Sequence, residues 1–80
     1  MATAVDRAAR LHHDIAILAA SLPQARIPKN TMMFYREILG QARREHERTL
    51  PPDFPDVSEE TQYRDLLVMV GQLLVVMSDR

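Results

Sequence analysis

Leu66-Leu67-Val68-Met69-Val70-Gly71-Gln72-Leu73-Leu74-Val75-Val76-Met77 decides how this chain folds. It is the most apolar run in the sequence, and Gln72 is its one strongly polar residue. At helical spacing, Tyr63, Leu66, Leu67, Val70, Leu73, Leu74 and Met77 share one face. Val68, Met69, Val75 and Val76 widen that face on its flanks. Asp65, Gln72 and Asp79 leave a narrow polar stripe. A helix apolar around most of its circumference must be buried around most of it. The valines also suit a strand. The length of the run, its capped start and the want of a second strand candidate favour helix.

Cover for such a helix is scarce. A chain of 80 residues makes one domain. A domain of this size buries only about 60–65% of the surface its unfolded form exposes. Small folds compensate with disulfides, a metal or a partner. There is no cysteine, so disulfides and thiolate metal sites are excluded. A protein partner, either a second copy or a different chain, is the remaining device.

Working outward from the run, the third helix is expected over about residues 58–78. Asp56-Val57-Ser58-Glu59 and Ser58-Glu59-Glu60-Thr61 both resemble capping boxes, and Glu59 and Glu60 suit the positive end of a helix. Before it, Leu50 to Val57 holds Pro51, Pro52 and Pro55, which predicts a rigid corner with Phe54 tucked onto the bundle. A second helix is expected over about residues 31–49. Asn30 or Thr31 would cap it, and Met32, Tyr35, Ile38, Leu39 and Ala42 would form its buried face. Its end, Arg43 to Arg48, is a charged segment with ion-pair spacings Arg43–Glu47 and Glu45–Arg48. Gly40 lowers helix propensity there, which close packing would explain. Pro23 and Pro28 break the chain before it. The first helix is expected over about residues 3–22. Thr3 and Asp6 make its capping box, and Ala4, Ala8, Leu11, Ile15, Leu18 and Leu22 follow one face. Asp6–Arg10 and Arg10–Asp14 are spaced as ion pairs. Small alanines at 9, 16, 19 and 20 would let another helix approach closely. The fold class is therefore all-α: a small three-helix bundle completed by self-association or by a partner.

Net charge is −1, without the basic excess of a dedicated nucleic-acid binder. The apolar run is shorter than the roughly 20 residues a bilayer span needs. The opening residues do not read as a secretory signal. A soluble intracellular setting is expected. His12 and His13 are adjacent and diverge on a helix, and His46-Glu47 lacks the second histidine of a zinc-protease motif, so no metal is expected. Ser21, Ser58 and Ser78 fall at element ends, and no pair of acids stands in an apolar setting. Neither of the two glycines belongs to a phosphate loop. No catalytic residue and no cofactor is expected. Met32, Met33, Met69 and Met77 suit either core filling or an adaptable contact surface.

Phe34-Tyr35-Arg36-Glu37-Ile38-Leu39 resembles the signature of the LYR-motif family, with phenylalanine for the leading leucine. Gln62-Tyr63-Arg64-Asp65-Leu66-Leu67 is a second, poorer echo. The family consists of small three-helix proteins, mostly mitochondrial, that act as adaptors, assembly factors or accessory subunits. Many engage an acyl carrier protein. The resemblance implies a mitochondrial setting, with Tyr35 and Arg36 as motif residues. The chain departs from the pattern in two ways. A whole helix precedes the motif, and the family's later phenylalanine has no counterpart, since Phe54 lies among prolines.

The function expected from the residues is a non-catalytic protein-protein interaction module, either self-associating or a small subunit of a larger complex. Leu66, Met69, Val70, Leu73, Leu74, Val76 and Met77 would form the contact. Leu73→Asp or Val70→Asp is then expected to abolish complex formation. Two alternatives stay open. One is an LYR-like adaptor that binds an acyl carrier protein through Tyr35 and Arg36. The other is a small regulator that occludes a larger target with its Arg43–Arg48 end.

Overall fold

Thr3 opens the first helix of the computed structural model, which describes residues 2–78. Its hydroxyl oxygen accepts from the Asp6 N–H at 3.1 Å, and the Asp6 carboxylate accepts from the Thr3 N–H at 3.3 Å. This is the capping box read from the sequence. Helix α1 runs Ala4–Ser21 and closes where the Leu22 N–H reaches the Leu18 carbonyl, just before Pro23. Its buried face is Ala4, Ala8, Leu11, Ile15 and Ala19. Leu18 and Leu22, expected on that face, are largely exposed instead.

Helix α2 runs Lys29–Glu45 and helix α3 runs Tyr63–Ser78. The described residues contain no strand. Both helices are shorter than the sequence pattern suggests. Helix α2 starts at Lys29, with Pro28 in the cap position and no side-chain cap. Asn30 lies inside the helix and accepts from Thr31 N–H. The helix ends at Glu45 because residues 46–50 curl back: Thr49 and Leu50 N–H both bond the His46 carbonyl, which turns Leu50 into the core. The helical spacings Arg43–Glu47 and Glu45–Arg48 therefore do not arise. Helix α3 starts five residues later than expected, at Tyr63 rather than Ser58. The serine, the acids and the threonine that resemble a cap close a separate turn. Ser58 N–H donates to the Thr61 hydroxyl, Glu60 N–H to the Ser58 hydroxyl, and Thr61 N–H to the Ser58 carbonyl. The cap that operates is Asp65, whose carboxylate accepts from the Gln62 N–H.

Helix α1 runs antiparallel to both others, so α2 and α3 start at the same end and run parallel, with the loop 46–62 returning between them. The start of α1 meets the end of α2, where the Glu45 carboxylate accepts from Ala4 N–H at 3.0 Å and Gln41 accepts from Arg7. The end of α1 meets the start of α3, where Arg64 N–H bonds the Pro23 carbonyl. Helix α1 is the one that packs on both others, whereas α2 and α3 scarcely touch. The sequence pattern put α3 at the centre. The small buried alanines of α1 explain the difference, since they let its neighbours approach closely on two sides.

The gap between α2 and α3 is filled by the long loop 46–62. Leu50, Phe54 and Val57 descend from it into the core beside Tyr35, Ile38, Leu66, Val70 and Leu73. Phe54 is thus the plug expected from its prolines. A short antiparallel pairing joins the two loops, with Ile27 N–H on Thr61 O and Tyr63 N–H on Ala25 O. Ion pairs among the described residues are Arg7–Glu37 and Arg36–Asp56, both at 3.3 Å. The spacings Asp6–Arg10 and Arg10–Asp14 are not used.

A groove between the third helix and the proline loop

Helix α3 divides its apolar residues between two surfaces. Leu66, Val70, Leu73 and Met77 are buried in the chain's own core. Met69, Leu74 and Val76 are half-buried against it. The first four are sealed by α1 and the loop, so no partner reaches them. This corrects the contact set expected from the sequence: helical periodicity identifies an apolar face but not which neighbour covers it. The oily residues left to solvent are Val68 and Val75, exposed by 59% and 69%. Asp65 and Gln72 lie on the same outward stripe. Asp79, the third member of the expected polar stripe, lies outside the described residues.

Val68 and Val75 belong to one wall of a groove of about 730 Å³. Gly71, Gln72 and Val76 complete that wall. Pro51, Asp53, Phe54 and Pro55 of the loop form the other. The lining is almost wholly apolar, with Asp53 as its one charged side chain. The sequence pattern missed the loop wall, although three prolines around one phenylalanine are the local signal of a stiff apolar edge.

Two anchors hold that wall in place. The Tyr35 hydroxyl donates to the Pro55 carbonyl at 2.9 Å. Burial, and then the Asp56 carboxylate, push the Tyr35 pKa far above its ordinary value, so the group stays a proton donor. Arg36 donates to the Val57 carbonyl at 2.9 Å and pairs with Asp56. The two residues of the LYR-like signature therefore both tie α2 to the loop.

A second, smaller depression lies at the start of α2. Arg26, Lys29 and Arg36 stand around Ile27, Met32 and Met33, with Glu59 at the edge. The charged end after α2 is a shallow surface on Arg44 to Thr49. Glu45 there is exposed, but its carboxylate is engaged by the Ala4 N–H and the Gln41 amide. The Ala4 N–H and then the Gln41 amide hold its pKa below the usual carboxylate value.

Among the described residues no group of three histidines or acids is placed to hold a metal ion. No described helix is long and apolar enough to cross a membrane. Compared with known proteins, the chain matches no family model, no curated protein and no solved structure.

Proposed function

We propose that this chain is a non-catalytic helical docking module whose partner surface is the groove between α3 and the proline loop. The observation that carries the reading is the exposure of Val68 and Val75 on a concave apolar surface with a stiff second wall. Apolar side chains two turns apart on one helix are the anchor spacing of helix-in-groove recognition. Burying them supplies about 25 cal/mol per Å² removed from water. A concave apolar patch with a single charged group is the surface expected of a contact site.

The test is native size in an extract of the source cells. The tagged chain is expected in a species larger than its 9.2 kDa monomer. The Val68→Glu/Val75→Glu double variant is expected to run as a monomer with unchanged helix content. A wild-type chain that runs as a free monomer, or a double variant that keeps the larger species, overturns the reading.

A second reading follows the LYR-like signature. The basic rim of Arg26, Lys29 and Arg36 over an apolar floor favours an acidic partner surface at the start of α2. On this reading the chain is an adaptor, and its partner is an acyl carrier protein. Arg26→Glu/Lys29→Glu would release that partner without disturbing the loop contacts of Arg36. Retention of the carrier protein by that variant counts against it.

A further inference from the structure

We infer that the groove is filled by α3 of a second copy of this chain, packed antiparallel about a two-fold axis. The inference rests on the docking reading above and names its partner. Along the outward stripe, Arg64, Val68, Gln72 and Val75 follow at steps of three or four residues, with Gly71 at its edge beside His12 of α1. The series is self-complementary about the midpoint between Gly71 and Gln72. Val68 mirrors Val75. A two-fold contact demands this property, because residue i of one copy meets j of the other and j meets i. Turning one helix against its twin therefore sets each Val68 on a Val75. Gly71, which has no side chain, comes to the crossing point where the backbones are closest. Gln72 sits beside it, and its amide both donates and accepts, so two copies satisfy each other within the apolar contact. One polar residue in such a seam fixes register at a cost in stability.

Charge selects the antiparallel direction. Arg64 lies in the first turn of α3, at the positive end of the helix dipole, where a cation is unfavourable. The described last turn carries no basic residue. Antiparallel packing brings each Arg64 to the negative end of the other helix. Parallel packing would instead set Arg64 beside Arg64 and Asp65 beside Asp65.

The chain has no cysteine, so single-cysteine variants report the register cleanly. The experiment is sedimentation of the purified full chain, followed by cross-linking with a short bismaleimide. A dimer is expected across a micromolar dilution series. Gln72→Cys should cross-link to itself. Asp65→Cys and Ser78→Cys should each fail alone and cross-link when mixed. The Val68→Glu/Val75→Glu variant should sediment as a folded monomer. Self-cross-linking of Asp65→Cys in place of the mixed product overturns the antiparallel arrangement. A dimer that survives the double variant overturns the choice of surface. A purified chain that stays monomeric at millimolar concentration overturns the second copy as occupant. If the extract then holds a larger species that the double variant abolishes, the docking reading stands with a different partner. If that species is insensitive to the variant, both fall.

Discussion

The Tyr35 hydroxyl donates a 2.9 Å hydrogen bond to the Pro55 carbonyl, and this contact ties the middle of α2 to the outer wall of the groove. Tyr35 is itself wholly buried, so the bond is made from within the core. Tyr35→Phe keeps the packing and leaves the Pro55 carbonyl without its donor. A loss of about 1 kcal/mol is expected from such a deletion. Urea unfolding measures it as a lower midpoint at unchanged slope. Faster amide exchange at Phe54, whose N–H bonds Pro51, would accompany it. An unchanged midpoint would show that the prolines and the Arg36 contacts hold the loop without this bond.

Glu45 gives the fold an acid sensitivity. Its folded pKa is lowered by the Ala4 N–H and then by the Gln41 amide. A lowered folded pKa means stability that is present above the unfolded value, about pH 4.3 for glutamate. It is lost as pH falls through the folded value. Glu45→Gln is expected to be less stable than wild type near neutrality, with the gap closing on acidification. Thermal unfolding across a pH series reads this directly. A gap that stays constant with pH contradicts the assignment.

Leu73 and Val75 lie two residues apart and have opposite fates. Leu73 is fully enclosed, while Val75 is 69% exposed. Leu73→Ala should cost about 2–5 kcal/mol through the cavity it leaves. Val75→Ala should stay within about 0.5 kcal/mol. Leu73→Asp would unfold the chain by burying a charge. Loss of a complex in that variant is therefore no evidence of a contact, contrary to the expectation drawn from periodicity alone. Circular dichroism separates unfolding from loss of a partner.

Gly40 has no packing reason to be glycine. A methyl group added there meets only the outer end of the Arg44 side chain, at 3.8 Å. Gly40→Ala should therefore stabilise the chain by about 0.5–1 kcal/mol, through helix propensity and a less free unfolded state. A higher unfolding midpoint checks this, and a lower one would mean that α2 needs close approach at this turn. The close packing expected of Gly40 from the sequence is absent.

The helices and most of their faces were legible in the residues. Thr3 and Asp6 announce the first cap, and Ala4, Ala8, Leu11 and Ile15 mark the first buried face because a 3.6-residue period leaves few other readings. The segment before α3 misled for a local reason. Ser58 and Thr61 offer hydroxyls that serve a turn as well as a helix start, and only the pairing of Ile27 with Thr61 decides between the two. The groove was less legible. Val68 and Val75 look like flanks of an oily run, and nothing in their spacing says that α1 and the loop cover the opposite side. Phe54 was visible as a plug, but not as part of a wall. That role depends on Tyr35 and Arg36, which hold the loop from a helix far away in sequence.

The most direct measurement is maleimide labelling of Val75→Cys in the chain's native assembly, with Met33→Cys as reference. Both positions are exposed in a single chain, by 69% and 56%. The docking account predicts that Val75→Cys is strongly protected in the assembly and labels freely after dissociation, while Met33→Cys labels alike in both states. Equal labelling of Val75→Cys before and after dissociation would contradict it.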